Sequence, residues 1–288
     1  MDNNLPPYSE FARVVGVFCR RKVALFGFFI IVLIVFAAIF APFISPYDPY
    51  EPSFKESMQH PSVRHLLGTD QLGRDTFSRI IYGSRTSLYI GISAVLIGSI
   101  IGQSLGLIAA YFGGKVNALI MRSIDAVMCI PPILNAMIIA AVLGGGSRNL
   151  ILALSVAVIP VQTRLMCGQA LTIKENDYIL AARTKGAGNI RVMLRHILPN
   201  AFPPLMVAIT IDLGMVILAE SGLSFLGVGI TPPTAAWGSM VSEGYKFLFT
   251  NPMLSFAPGF IIVLTVFAFN MTGDGLRDAL DPRLRGAT

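Results

Sequence analysis

The sequence predicts an all-α polytopic membrane protein with six transmembrane helices. Of its 288 residues, 54% are hydrophobic and only 13% are charged, whereas soluble domains carry about 25% charged residues. The hydrophobic residues are gathered into six segments, each close to the roughly 20 residues that a helix needs to span a bilayer. A chain with so few charged side chains could not cover a water-facing surface.

The six apolar segments differ in length. The second and fifth are long enough to tilt or to continue outside the bilayer, and the fourth is the shortest. The first is longer than the apolar core of a cleaved signal peptide, so we expect a retained helix. The predicted helices run over residues 23–44, 87–112, 118–143, 150–166, 201–228 and 254–271.

The connections between these segments indicate the orientation. Placing both termini in the cytoplasm puts 15 of the 22 Lys and Arg residues on the cytoplasmic side, as expected from the positive-inside rule. The net charge of +6 is therefore interpreted as topological and not as a sign of nucleic-acid binding. The predicted organisation is a cytoplasmic segment 1–22, a first helix 23–44, an external loop 45–85, a five-helix core 86–273 and a cytoplasmic tail 274–288.

No motif predicts catalysis by this chain. HExxH is absent from the sequence, and the three cysteines lack the spacing of a metal site. The passage "YFGGKV" contains Gly-Lys, but Ala109 and Val116 replace the first glycine and the Ser/Thr of a phosphate-binding loop. His60 and His65 are expected to be an exposed loop pair. Any uphill transport must draw energy from a partner or an ion gradient.

Three acidic residues fall inside the apolar segments: Asp125, Asp212 and Glu220. Each is costly in lipid and should face protein or water. Arg122 precedes Asp125 by three residues, so the two side chains can pair on one face of a helix. We interpret this pair as a structural clamp near the cytoplasmic end, in preference to a proton relay.

Glycines and prolines predict specific helix geometry. Gly98, Gly102 and Gly106 form two overlapping GxxxG steps, a stripe that another helix can approach closely. The stripe fits intramolecular packing or a subunit interface, and both remain open. Pro131 and Pro132 break the third segment, either as a simple kink or as an element that lines a pathway.

The stretch "DYILAARTKGAGNIRVMLRHILPN", residues 177–200, interrupts the apolar pattern. Asn176 or Asp177 can cap a short helix that runs to about Arg183. Gly186 and Gly188 then bend the chain, and a second helical piece follows. The result is a small helix across the membrane face, whose alanine side fits a cleft in another protein. A basic loop that only touches anionic lipid headgroups is the equal alternative.

This stretch resembles the "EAA" loop of permease subunits of ATP-binding-cassette (ABC) importers, EAA-x3-G-x9-I-x-L-P. Leu180 replaces the Glu of that pattern, and His196 replaces the Ile. The positions in register are Ala181, Ala182, Gly186, Leu198 and Pro199.

Four further passages resemble C-type permease subunits of dipeptide, oligopeptide and nickel importers, in the order of that family. They are "LLGTDQLGRDTFSRIIYGSRTSL", "MRSIDAVMCIPP", "AESGLSFLGVGITPPTAAWGSM" and "AFNMTGDGLRDALDPRLRG". The resemblance implies a type I ABC importer permease fold with a cytoplasmic coupling helix, in a bacterial inner membrane.

The resemblance also implies partners. They are a homologous permease subunit, two ATPase subunits that bind ATP and Mg²⁺, and an external solute-binding protein; this chain itself binds no cofactor. The implied solute is a peptide or a related compound such as nickel or glutathione. The residues implied to couple to the ATPase are Tyr178, Ala181, Ala182, Arg183, Lys185, Gly186, Ala187, Gly188, Leu198 and Pro199.

The same resemblance places Asp70, Arg74 and Asp75 on the external face. Asp75 is also suited to cap the helix that follows it. Trp237 is expected either near an external gate or as an anchor at the membrane interface. Two other functions compete with the importer subunit: a gradient-driven secondary transporter, disfavoured by the few buried carboxylates, and a membrane scaffold.

Overall fold

The computed structural model describes residues 8–280, with side chains from residue 13 onward. A 3₁₀ turn at Phe54–Glu56 and a π-helical turn at Met193–Ile197 accompany the α-helices. The α-helices are α1 Tyr8–Arg20, α2 Lys22–Ile39, α3 Ala41–Ile44, α4 Thr76–Phe112, α5 Gly114–Met128, α6 Pro132–Leu143, α7 Ser147–Lys174, α8 Asp177–Thr184, α9 Asn189–Val192, α10 Leu198–Phe225, α11 Trp237–Tyr245 and α12 Met253–Leu280.

The predicted all-α membrane architecture is confirmed. Five helical spans among the described residues are long and apolar enough to cross a bilayer: α2, α4, α7, α9–α10 together, and α12. The pair α5–α6 supplies a sixth if it counts as one span, and its two helices are bent by 84° relative to each other. The third predicted helix is therefore a broken one.

The break between α5 and α6 follows from the prolines that the sequence analysis singled out. Pro132 is the first residue of α6, where a missing N–H costs nothing. The break leaves carbonyl groups of α5 without helical partners. The Asn135 side chain satisfies one of them by donating to the Val127 carbonyl at 3.3 Å.

Two helices extend beyond the predicted spans. The second span begins at Thr76, eleven residues before the predicted start, and the Asp75 carboxylate caps it by accepting a hydrogen bond from the Ser78 N–H at 2.8 Å. The last span continues to Leu280, so residues 274–280 of the predicted tail are helical. Residues 1–7 and 281–288 of the predicted terminal segments lie outside the described residues.

The N-terminal segment contributes to the bundle instead of only preceding it. Helix α1 packs against the end of α12, where the Arg21 guanidinium lies 2.5 Å from the Asp278 carboxylate. A side chain at Gly275 would collide with Ala24 and approach a Phe18 ring carbon at 3.2 Å. These contacts explain why α12 remains helical past the predicted end of its span.

Close packing of α4 on α7 forms the most extensive helix contact of the bundle. A Cβ at Gly98 would lie 2.7 Å from Cβ of Val158, and one at Gly102 would lie 2.7 Å from the Ile159 carbonyl oxygen. A Cβ at Gly106 would collide with the backbone of α7. The glycine stripe therefore serves intramolecular packing, which decides between the two alternatives that the sequence left open.

The bundle has two distinct ends. The C-termini of α4, α7 and α12, together with residues 175–197, form one end, which we call the basic end because Lys and Arg side chains crowd its surface. Residues 45–75 and α11 cover the other, which we call the capped end. Between the two ends, α2 and α10 each pack antiparallel against α12 and complete the bundle.

Replacing Gly102 with leucine tests this packing. We expect Gly102→Leu to lower the melting temperature of the purified chain by roughly 5–10 °C, since overpacking against a backbone costs about 3 kcal/mol. Gly168→Leu is the matched control, because a Cβ there meets nothing within 4 Å. Equal melting temperatures for the two variants would show that the stripe is not a packing contact.

Candidate coupling surface

The segment that follows α7 folds into a helix, a tight turn and a second short helix. Helix α8 spans Asp177–Thr184 and begins without a side-chain cap, so the predicted capping by Asn176 or Asp177 is wrong. The Asn176 side chain instead donates to the Ile173 carbonyl at 3.0 Å, because it lies against the end of α7.

The turn after α8 requires a glycine at position 186 but not at position 188. The Gly186 N–H donates to the Arg183 carbonyl at 2.9 Å, and the Ala187 N–H donates to the Ala182 carbonyl at 3.1 Å. This is the Schellman pattern, which requires a left-handed residue after the helix. Gly186 supplies it with φ of +81°, whereas Gly188 has an ordinary φ of −67°. The prediction that Gly188 also bends the chain through glycine-specific dihedrals is wrong.

Apolar anchors fasten this segment to the bundle. Ile179 of α8, Val192 of α9 and Ile197 are buried in one cluster with residues of α4, α7 and α10. Beneath them, the Lys174 ammonium donates to the carbonyls of Ala110 and Tyr111, at 3.1 and 2.7 Å. The C-termini of α4 and α7 are thereby joined under the segment.

Tyr111 connects the end of α4 with both short helices. Its hydroxyl donates to the Asn189 side-chain oxygen at 2.7 Å, at the start of α9. Its ring lies under the Arg183 guanidinium of α8, with 4.9 Å between the guanidinium carbon and the ring centre. Such a cation–π contact holds a charged side chain at the surface in a fixed place. Nothing in the sequence pattern singled out Tyr111.

The outward face of this segment exposes large apolar side chains. Leu180 is 64% exposed and Ile190 is 69% exposed, and Tyr178 and Leu194 are also exposed. Ala182 and Ala187 are only half-buried, and Ala181 is exposed. The most exposed apolar groups are therefore the large residues beside the alanines, and only Tyr178 of these four was among the predicted coupling residues.

A basic cavity lies beside these apolar residues. It has a volume of about 280 Å³. Its lining residues are Ala182, Lys185, Gly186, Ala187, Arg191, Arg195 and His196. Leu198 is half-buried and Pro199 exposed where α10 begins. We call residues 177–197 the coupling surface: an apolar patch next to a cluster of cations.

Asp125 has a different partner from the one predicted. Its carboxylate lies 2.5 Å from the Arg164 guanidinium of α7, and no such contact with Arg122 is present among the described residues. Arg164 reaches Asp125 because α5 packs beside α7. The predicted pair of Arg122 with Asp125 is therefore wrong, and the ion pair joins two helices instead of spanning one turn.

The other two acidic residues of the spans are satisfied by protein groups, as predicted. The Gln162 amide donates to the Asp212 carboxylate at 2.8 Å, and Gln103 donates to Gln162 at 3.0 Å. Glu220 is fully buried and accepts a hydrogen bond from the Ser224 hydroxyl at 2.9 Å.

The capped end is held by a buried ionic cluster that the sequence analysis missed. The Glu243 carboxylate of α11 lies 3.3 Å from the Arg74 guanidinium and 3.2 Å from that of Arg79. Asp70 completes the cluster at 2.7 Å from Arg74. Both arginines are buried, so the cluster ties the loop before α4 to α11.

At the capped end, the prediction for His65 is wrong, and one of the two alternatives for Trp237 is excluded. His65 is buried, with Nδ1 2.9 Å from the Asp75 carboxylate, and its ring stacks on Tyr47 at 4.7 Å between centres. It is not an exposed loop residue. Trp237 is fully buried, and its indole N–H donates to the Ile80 carbonyl at 3.0 Å. Trp237 is therefore a core residue and not an anchor at the membrane interface.

Solved structures of one transporter share this fold. An inward-facing crystal form of the MetNI methionine ABC transporter matches with a TM-score of 0.58 and 20% identity, over 71% of this chain and 97% of that chain. A second inward-facing form gives a TM-score of 0.57 with 19% identity. The fold is that of a membrane permease of an ABC transporter.

Family comparisons narrow this class. Residues 102–286 match the family "Binding-protein-dependent transport system inner membrane component". Residues 9–63 match the "N-terminal TM domain of oligopeptide transport permease C". The chain belongs to the binding-protein-dependent inner membrane components and is a permease subunit of an ABC importer.

Similar chains carry related names. The dipeptide transport permease DppC of Alkalihalophilus pseudofirmus is 40% identical, over 92% of this chain and 88% of the relative. The di/tripeptide permease DppC of Pseudomonas aeruginosa is 42% identical, over 94% and 91%. The glutathione permease GsiD of Escherichia coli O6:K15:H31 is 41% identical, over 97% and 92%.

Removing Glu243 tests the ionic cluster. We expect Glu243→Ala to lower the melting temperature by roughly 10 °C, because breaking a buried ion pair costs about 3–5 kcal/mol. Glu51→Ala is the control, since Glu51 is exposed at the same end of the bundle. A melting temperature for Glu243→Ala that equals the control would show that the cluster does not hold the capped end.

Proposed function

We propose that this chain and a second, homologous permease subunit form the pathway of an ATP-driven importer for peptides or a related small solute. The solute class rests on the names of the relatives, which are permeases for dipeptides, di- and tripeptides and glutathione. The observation that carries the ATP-driven mechanism is the coupling surface, an exposed apolar patch beside a basic cavity at the end of a membrane bundle.

The coupling surface fits a protein partner better than a lipid surface. Leu180 of α8 and Ile190 of α9 are each more than half exposed, and the cavity beside them is lined by Lys185, Arg191 and Arg195. A cleft with an apolar floor and an acidic rim would cover both features. We propose that two ATPase subunits, which bind ATP and Mg²⁺, supply such clefts to this chain and its permease partner.

Movement of an ATPase would reach the spans through the anchors of the coupling surface. Ile179 and Val192 are buried against the bundle, and Lys174 joins the ends of α4 and α7. A push on α8 therefore acts on α4, α7 and α10 together. Packed helices move as units because protein interiors resist compression. The capped end, made rigid by its ionic cluster, is proposed to receive the external solute-binding protein.

The proposed orientation places the basic end in the cytoplasm. It rests on the excess of Lys and Arg at that end. Reporter fusions after Glu56 should be active outside the membrane, and fusions after Gly188 inside. The reverse pattern at either position would contradict both the orientation and the site proposed for the ATPases.

Gly186→Val tests the coupling role. A β-branched residue is strained at φ of +81°, although a Cβ there has open space. We expect transport of a labelled dipeptide by the reconstituted importer to fall at least tenfold. ATP hydrolysis stimulated by the binding protein should fall with it, while membrane insertion stays normal.

Gly16→Val is the matched control for this variant. Gly16 lies in α1 at the same end of the bundle, and a Cβ there also meets nothing within 4 Å. Its φ is not in the left-handed region. Transport by Gly186→Val at the rate of this control, with equal amounts of assembled importer, would rule out coupling through the turn after α8.

A further inference from the structure

A layer of polar side chains crosses the bundle near its middle. It connects four helices through two separate sets of contacts. One set is the chain of hydrogen bonds from α4 through α7 to α10, and the other is the ion pair between α5 and α7. We call it the polar layer, and its members are Gln103, Asp125, Gln162, Arg164 and Asp212.

The ion pair of the polar layer lies within a membrane-spanning part of α7. Arg164 is ten residues before the end of α7 at Lys174, which is about 15 Å along the helix axis. Arg164 is also 17 residues after the start of α7 at Ser147, which is about 25 Å. The hydrocarbon core is about 30 Å thick. Wherever a core of this thickness lies along α7, it therefore includes Arg164.

At this depth, the ion pair is too exposed to face lipid. The Arg164 and Asp125 side chains are 48% and 55% exposed. Charged side chains within the bilayer are costly unless they face protein or a water-filled cavity. The bundle does not cover this pair, so either water or another subunit must.

The outward face of α4 offers a comparison, because it is apolar. It exposes Leu96, Ile100 and Ile108, and the Ser104 hydroxyl between them donates within the helix to the Ile100 carbonyl at 2.7 Å. The exposed stripe of α7 differs, because Arg164 lies in its middle with its charge directed outward from the helix.

We propose that the stripe Val161, Arg164, Gly168 and Leu171 of α7 lines the aqueous translocation pathway. Arg164 and Asp125 would there contact the carboxylate and ammonium groups of a passing zwitterionic solute. This inference rests on the proposed function, because it takes the solute to be peptide-like. It identifies the helix face and the charges that meet the solute, which the family match does not specify.

The geometry suits such a solute. Arg164 offers a planar pair of donors to a carboxylate, and Asp125 beside it offers a carboxylate to an ammonium group. The two side chains are half exposed, so a solute can reach both of them. If Arg164 and Asp125 separate and each binds an oppositely charged group of the solute, neither charge is left without a partner. Asp212, half-buried and bonded to the Gln162 amide, adds a second acceptor in the same layer.

Cysteine labelling tests the pathway assignment in the assembled importer. The background is the chain with Cys19→Ser, Cys129→Ser and Cys167→Ala, and the reagent is a charged, water-soluble methanethiosulfonate. We expect Val161→Cys and Gly168→Cys to be labelled at least tenfold faster than Ile100→Cys, which lies at similar depth on the apolar face of α4.

Two outcomes would overturn the assignment. Labelling of the two α7 cysteines only in the isolated chain, and not in the assembled importer, would place this stripe in a dry interface with the second permease subunit. Labelling as slow as that of Ile100→Cys in both preparations would place it against lipid.

Removing both charges of the ion pair tests its contact with the solute. We expect Asp125→Asn with Arg164→Gln to lower dipeptide transport at least tenfold and to change the melting temperature of the complex little, because a half-exposed ion pair contributes little to stability. Transport within threefold of the unmodified importer would overturn the contact. A loss of transport accompanied by an equally clear fall in the melting temperature of the complex would also overturn the contact.

The experiments separate this inference from the proposed function. Labelling and the variants are measured on an importer whose dipeptide transport has first been established. An unmodified importer that carries no peptide contradicts the proposed function. An importer that carries peptides but leaves the α7 stripe unlabelled contradicts only the inference about the pathway.

Discussion

The close approach of α4 and α7 is the contact on which the rest of the structure depends. Lipid tails are as apolar as leucine, so membrane helices gain little from burying apolar side chains against each other, and close packing of small residues takes over. Gly98, Gly102 and Gly106 bring the backbones together along three turns. This contact brings Gln103 within a hydrogen bond of Gln162, and it puts the ends of the two helices side by side.

Joined helix ends give the coupling surface its support. Lys174 can bond to the α4 carbonyls only because α7 ends next to them, and Tyr111 then reaches both α8 and α9. Short helices are marginal on their own, so α8 owes its place to these anchors and to the buried Ile179. The same contact orients α7 so that Arg164 turns away from α4. One packing interaction thus positions both the coupling surface and the proposed pathway face.

Local sequence patterns predicted what local geometry determines. The glycine stripe, the proline break, the Asp75 cap and the glycine after α8 each depend on a few neighbouring residues, and the structure contains all four. Contacts between distant residues were not predictable in this way. Arg79 and Glu243 are 164 residues apart, and Arg164 displaced the nearer Arg122 as the partner of Asp125. The sequence predicted an exposed His65, because burial of a residue by a folded loop leaves no periodic pattern of apolar residues in the sequence.

In the assembled importer, an ATPase is proposed to cover the coupling surface. Leu180→Cys, in a background without the native cysteines, places a thiol at an exposed position of α8, where the leucine side chain is 64% exposed. Val63→Cys, at an exposed position of the capped end, is the reference. Maleimide labelling of both is compared between the isolated chain and the importer assembled with its ATPases. We expect assembly to slow labelling at position 180 at least tenfold and to leave labelling at position 63 unchanged. Equal labelling at position 180 in both preparations would contradict the proposal.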